Sequence, residues 1–176
     1  MSIPKRPKDV LLVLSILYSD VDDIWERVLD NLIELFGPIE HISEPIPFTE
    51  TTYYDKELGT PIFRKMAAFS NLIPPDTLPD VKIKTNEIEI KYSREDGSRR
   101  FNLDPGILSF ERFVLATGKE YTHRIYLKHG IWADLTLLFQ KGKFRTLPWT
   151  YPDYAKKELQ DILLRYRELY RKKIKR

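Results

Sequence analysis

The alternation of apolar and polar positions divides the chain into short elements. Lys8 to Tyr18 is a continuous apolar run bounded by charge, the pattern of a strand buried on both faces. Ser19 or Asp20 can cap a helix after it, and Asp22 and Asp23 suit the first turn of that helix. Val21, Ile24, Val28, Leu32 and Leu35 recur at helical spacing until Gly37-Pro38 stops the pattern. Ile39 to Phe48 predicts a short strand interrupted by Pro45 and Pro47, hence an edge or an irregular arm. Thr51 to Thr60 has turn chemistry without a period, and Ile62 to Ile73 predicts another strand closed by Pro74-Pro75.

Residues 76–93 fit two periods. Val81-Lys82-Ile83-Lys84 and Glu87 to Tyr92 alternate as a strand would, yet the alternation slips register between Thr85 and Ile88. Leu78, Val81, Thr85, Ile88 and Tyr92 share one helical face, so the stretch is read as a helix. Beyond a turn at Glu95 to Ser98, Arg99 to Leu103 predicts a strand ended by Asp104-Pro105-Gly106. Strands follow at Arg112 to Thr117, His123 to Leu127 and Trp132 to Gln140, with hairpin turns at Lys128-His129-Gly130 and Lys141-Gly142-Lys143. Pro152-Asp153 opens a long helix with Leu159, Ile162, Leu163, Tyr166 and Tyr170 on one face.

The order strand, helix, strand, strand, helix, strand over about residues 8–103 is that of a ferredoxin-like split β-α-β unit. The expected fold is therefore α+β. Antiparallel strands over about residues 104–147 extend the sheet or curl into a small barrel, and a C-terminal helix covers about residues 153–174. One compact domain spanning 1–176 is expected.

Composition narrows the setting. With 176 residues, 42% of them hydrophobic and 31% charged, the chain can bury a core and remain in solution. No apolar run approaches the ~18 residues of a membrane span, and Met1 to Arg6 lacks a signal-peptide pattern, so a cytoplasmic protein is expected. The absence of cysteine excludes disulfides, thiolate metal sites and a Cys nucleophile. Scarce Cys, Met, Asn and Gln beside 29 Lys or Arg and 26 Asp or Glu is the thermophile pattern. The net charge of +3 is uneven: residues 156–176 hold the cationic excess, which leaves residues 1–155 net negative. That weakens a nucleic-acid reading that needs a basic face on the core.

Nucleotide-enzyme motifs are absent. Thr117-Gly118-Lys119 has a Gly-Lys pair without the earlier glycine of a phosphate loop, and seven glycines are too few for several phosphate cradles. What remains are polar residues in aromatic-rich loops. Tyr53 and Tyr54 stand beside Glu57, either as caps on a core edge or as a ligand wall. Asn102 and Asp104 share one strand face, although Asp before Pro is also routine turn chemistry. In a strand starting at His123, Arg124 and Tyr126 would share a face and offer a fork for phosphate or carboxylate. The plain alternative pairs Arg124 with a carboxylate such as Asp134 on the neighbouring strand. His123 has the residue chemistry of a general acid or base, or of a satisfied strand-edge residue. Trp149 and Tyr151 lie in a rigid turn between Pro148 and Pro152 that could hold a ring, with Thr150 or Asp153 as helix caps.

These stretches together resemble the bacterial domain of unknown function DUF4416 over nearly the whole chain. The resemblance rests on Tyr53-Tyr54-x-x-Glu57-x-Gly59, Lys82 with Thr85-Asn86, and Asn102-x-Asp104-Pro105-Gly106. It continues through Val114 to Thr117 with Lys119, His123 to Tyr126, Thr136-Leu137, and Pro148 to Tyr154. It supports the helix at 76–93, and it departs at Asp134, where the family's usual residue is Glu.

Resemblance and residue chemistry converge on an anionic, phosphate-bearing small ligand such as a nucleotide. Arg124 and Lys119 would bind phosphate, and Tyr53, Tyr54, Lys82, Asn102, Tyr126, Trp149 and Tyr151 would line the site. Glu57, Asp104 and Asp134 would hold Mg²⁺ or Mn²⁺, since hard oxygen ligands favour those ions. His123 and Asp104 would be the catalytic pair if phosphate is transferred or hydrolysed. On this view Arg124→Ala abolishes binding and leaves the fold intact. An RNA-binding or protein-interaction module is the alternative, with affinity that falls steeply with salt.

Overall fold

A computed structural model describes residues 1–175 and has the expected α+β class. Strand β1 (Val10–Tyr18) is the apolar run and lies in the middle of a nine-stranded sheet. Helix α1 (Trp25–Phe36) leads to β2 (Ile39–Ile42), and β3 (Ile46–Pro47) is the fragment the two prolines allow. A four-residue helix, α2 (Asp55–Leu58), sits in the Tyr53-Tyr54 loop. Then come β4 (Phe63–Ile73) and α3 (Leu78–Lys91), so the ambiguous stretch is helical. The second half contributes β5 (Phe101–Leu108), β6 (Arg112–Thr117), β7 (Ile125–Lys128), β8 (Ile131–Gln140) and β9 (Lys143–Thr146).

The sheet order is β2-β4-β1-β5-β6-β8-β7, with β3 on β4 and β9 on β8, and the pairings run antiparallel. The later strands thus extend the first sheet rather than closing a barrel. Both hairpin turns have left-handed central residues, His129-Gly130 and Lys141-Gly142, which match the twist of the strands they join.

Two expectations are corrected. First, Asp104-Pro105-Gly106 does not end a strand; β5 runs through it. Pro105 sits where β5 lacks a second neighbour, because pairing with β6 begins only at Gly106. Gly106 is required by close packing: a Cβ there would meet the Phe113 ring at 2.8 Å and the Val114 carbonyl oxygen at 2.9 Å. Second, the helix opened by Pro152 is not continuous. A short α4 (Pro152–Ala155) ends where Lys156 adopts an extended backbone, and α5 (Lys157–Ile174) starts afresh.

Strand alternation sorts the core into two faces. Leu12, Leu14 and Ile16 of β1 pack with Val28 and Leu32 of α1 and Val81 and Ile88 of α3. On the opposite face Leu11 and Val13 join Met66, Leu108, Phe113 and Leu137 beneath Leu159, Leu163, Tyr166 and Tyr170 of α5. Helix α5 covers only one end of that face. Over the other end lie Phe48, Leu58 and Ile62, with Tyr54 against them. There the sheet itself turns polar.

Candidate functional site

The polar end of the sheet face follows from register. Ser15 lies opposite Asp104, and Leu17 opposite both Asn102 and Arg64, so Ser15, Arg64, Asn102 and Asp104 point the same way as Val13. Asp134 lies opposite Leu115 and therefore shares that face. Ser15, Arg64, Asn102 and Asp134 are buried. Charge in such a place requires partners: Arg64 pairs with Asp153, and Asn102 and Asp134 each belong to a network.

The first network is built on Arg99. Its Nε and Nη2 donate to the two oxygens of Glu57, each at 2.7 Å, while Nη1 donates to Asn102 Oδ1 at 2.6 Å and Glu89 Oε2 at 3.1 Å. Asn102 Nδ2 donates to Asp104 Oδ2 at 2.6 Å, and Lys82 Nζ donates to Asp104 Oδ1 at 3.1 Å. Lys82 also reaches the Leu103 carbonyl at 2.8 Å, and Glu89 Oε1 accepts from the Leu103 N–H at 2.5 Å. Two side chains of α3 thereby satisfy the edge of β5 that β6 leaves open. The Arg99 bonds hold the Glu57 carboxyl below its ordinary pKa, whereas burial pushes that of Glu89 up.

The second network centres on Asp134. Its Oδ2 accepts from Arg124 Nε at 2.9 Å and lies 3.1 Å from His123 Nε2, which donates if it carries the ring proton. Arg124 Nη1 donates to the Lys119 carbonyl at 3.0 Å and Nη2 to the Tyr151 hydroxyl at 3.0 Å. Burial opposes the Arg124 charge, but the bonds to Asp134 and Tyr151 outweigh it and hold its pKa above the ordinary value. The His123 ring stacks on Trp149 with centroids 4.7 Å apart and planes 11° from parallel; Trp149 is fixed by donation from Nε1 to the Leu135 carbonyl. Lys119 Nζ lies 4.7 Å from the centre of the Tyr53 ring and donates to that residue's hydroxyl at 3.0 Å.

Tyr54 joins the networks. It packs edge-on against Tyr53, and burial first, then the Asp104 charge, keeps its phenol protonated well above the ordinary range, with Tyr151 also within electrostatic reach. Tyr53, Tyr121 and Tyr151 are exposed around Lys119 and Arg124. The region is a rim of aromatic rings around the exposed Lys119, above a floor of paired charges that includes Arg124 and Asp134.

Most of the residues singled out in the sequence therefore meet, though several do so with other partners than expected. Arg124 takes the plain alternative and pairs with Asp134. β7 starts at Ile125, so His123 and Arg124 precede it and both turn to the same carboxylate. Tyr126 packs edge-on against Trp132 instead of beside Arg124. Lys82 is buried and turned inward. Glu57, Asp104 and Asp134 do not form one metal-binding set: each is held by a cation, and among the described residues no group of three or more His, Asp or Glu is placed to hold an ion. Asp153 is no simple cap, since its carboxylate pairs with Arg64 at 2.6 Å. Arg64, Ser15, Arg99 and Glu89 escaped the sequence reading. Ser15 is the one polar residue inside the β1 run, and Arg64 shares its alternation with buried Met66 and Ala68. Those breaks in apolar pattern were the available signals.

Residues 8–170 match a family described as a domain of unknown function, DUF4416. The chain belongs to the DUF4416 family. No curated protein and no solved structure matches it. Both networks lie within the DUF4416 span, from Tyr53 to Tyr151. Among the described residues, no helix is long and apolar enough to cross a membrane.

Proposed function

We propose that this DUF4416 protein binds a phosphate-bearing small ligand, a nucleotide being the class best suited, on the aromatic rim around Lys119 and Arg124. One observation carries the reading. Lys119 has a cationic head whose only side-chain partner among the described residues is the Tyr53 hydroxyl, and it stands between exposed rings with Arg124 bonded to its own carbonyl. Unspent cationic N–H groups favour an oxyanion, and the faces of Tyr53, Tyr121, Tyr151 and Trp149 favour a ring. His123, oriented by Asp134 and Trp149, would serve as general acid or base if the ligand is turned over. Mg²⁺ or Mn²⁺ would arrive with the phosphate, since Glu57, Asp104 and Asp134 are each already paired with a cation. The strand order of the first half, β2-β4-β1-β5, supports reading it as a ferredoxin-like split β-α-β unit.

The test is unfolding of the full chain in the presence of nucleotides and sugar phosphates, with and without Mg²⁺ or Mn²⁺. A ligand at a hundred times its Kd raises the unfolding free energy by about 2.7 kcal/mol. The reading predicts such a gain for one ligand class and its loss in Lys119→Ala. No gain across the panel overturns it. A gain with single-stranded RNA alone, falling steeply with salt, would favour a stacking platform for RNA instead.

A further inference from the structure

The face of the sheet that carries α3 is not fully covered. Strand β5 lies between β1 and β6, and β6 between β5 and β8, so apolar side chains on that face belong to the sheet interior. Leu78 of α3 packs with Ala116 and Ile131, which are 2% and 3% exposed. At the next position of that face on β6, Val114 and its opposite number Ile107 are left half-buried. A cleft of about 240 Å³ opens here, with Ile107, Val114 and the buried Val10 as its apolar lining. Pro75, in the turn that leads into α3, forms one wall, and Pro7 of the N-terminal arm forms another. Proline stiffens both walls, and the arm is pinned where the Tyr170 hydroxyl donates to the Asp9 carbonyl at 2.9 Å.

The chemistry of the lining selects the occupant. Water above Val10, Ile107 and Val114 has few partners, so an apolar group is favoured there. Three charged residues also line the cleft: Lys8, Glu111 and Arg112. The Glu111 carboxylate accepts from the Ser109 hydroxyl at 2.8 Å, whereas Lys8 and Arg112 are exposed and have no carboxylate partner among the described residues. Two cations against one engaged carboxylate favour an anion. A second copy docked through the same face would set these cations against cations of its own, and a partner helix, about 10 Å across, is too wide for a space of this volume.

We propose that this cleft binds a small amphiphile, an unbranched apolar chain over Val10, Ile107 and Val114 with an anionic head at Lys8 and Arg112. The head is a carboxylate or a phosphate monoester, since both accept charge-assisted bonds from a guanidinium. Leu115 and Asp134 point to the other face of the sheet, so this site lies across the sheet from the floor of the Lys119 rim and does not rest on the rim reading.

Calorimetry of the full chain with octanoate, octyl phosphate, octanol and octylamine, each below its aggregation threshold, tests the proposal. One site per chain is expected for octanoate or octyl phosphate, and the tighter of the two identifies the head. Octanol should bind about fivefold more weakly, and octylamine not at all. Shortening octanoate to hexanoate should weaken binding about fourfold per methylene removed. Val114→Phe fills the cleft and should abolish binding of every probe. Arg112→Glu alters an exposed side chain, so it serves even where Val114→Phe fails to fold, and it should remove the preference for an anion over octanol. Octanol or octylamine bound as tightly as both anions overturns the inference, and so does binding unchanged in both variants. Anion binding that is lost in Lys119→Ala also overturns it and moves the ligand to the rim. No binding by any of the four probes overturns it while leaving the rim reading intact.

Discussion

Glu57 and Glu89 share one guanidinium, that of Arg99, and titrate in opposite directions. Glu57 meets Arg99 through two bonds at a partly exposed position, and those bonds depress its carboxyl pKa. Glu89 has 6% of its side chain exposed, and burial outweighs the attraction of Lys82 and Arg99, so its carboxyl is raised. The two therefore leave opposite marks on stability. Glu57 contributes stability that is present above its unfolded pKa near 4.5 and is lost as pH falls through the lower folded value. Glu89 releases its proton later in the folded than in the unfolded state, so stability declines as pH rises from about 4.5 towards its raised value. Urea unfolding as a function of pH should show the acid-side loss reduced in Glu57→Gln and the decline above pH 4.5 reduced in Glu89→Gln. The same slope in both variants would contradict the shared-guanidinium account.

Arg124→Ala should not be the clean binding probe that its sequence context suggests. Asp134 has 6% of its side chain exposed and relies on Arg124 and His123 for partners. Removing the arginine leaves a buried carboxylate with no cation but His123 and only a 3.4 Å bond from the Thr136 hydroxyl besides, and the loss should be about 3 kcal/mol of stability. Lys119→Ala truncates an exposed side chain with one neutral partner and should change stability by less than about 0.5 kcal/mol. Denaturant midpoints of the two variants test this directly. Equal midpoints would mean that the Asp134 pair contributes little.

The limits of the sequence reading trace to the same two networks. Elements with a strong period were legible: β1 from its unbroken apolar run, and α3 once the register slip at Thr85 had argued against a strand. The strand through Pro105 was not, because proline and glycine usually end one. Here β5 has only β1 beside it at Pro105, so the missing N–H costs no ladder bond, and Gly106 serves the packing of Phe113. The rim was legible from its crowd of aromatics and cations. Two residues that complete its floor were not, because Arg99 and Glu89 look like ordinary surface charge at a strand start and on a helix. The open edge of β5 turns Glu89 inward, and that edge is set by where β6 parts from β5, after Leu115.

Gly106→Ala offers a direct test of that packing. The added methyl group would stand 2.8 Å from the Phe113 ring and 2.9 Å from a backbone oxygen. An aromatic ring can shift, but the Val114 carbonyl belongs to the sheet, so overpacking should cost about 1–3 kcal/mol. Phe113→Leu in the same chain should recover only part of the loss, since the carbonyl contact remains. Full recovery would assign the whole constraint to the ring.

The bond from the Leu103 N–H to Glu89 makes one backbone amide depend on a helix side chain. In an ordinary sheet interior that donor would face a neighbouring strand, and its exchange with solvent would report strand separation. Here Glu89 Oε1 accepts it at 2.5 Å while Lys82 Nζ holds the carbonyl of the same residue at 2.8 Å. Hydrogen exchange of Leu103 should therefore accelerate in Glu89→Ala by roughly tenfold beyond any global change, the equivalent of a net bond of about 1.4 kcal/mol. Amides of β1 opposite, such as Ile16, should follow global stability alone. Lys82→Met should weaken the same edge from the carbonyl side and free Asp104 Oδ1, with little effect at the Asp134 rim. If Leu103 stayed as protected as Ile16 in Glu89→Ala, another acceptor would have to replace the helix, and the open edge of β5 would no longer explain why α3 carries buried charge.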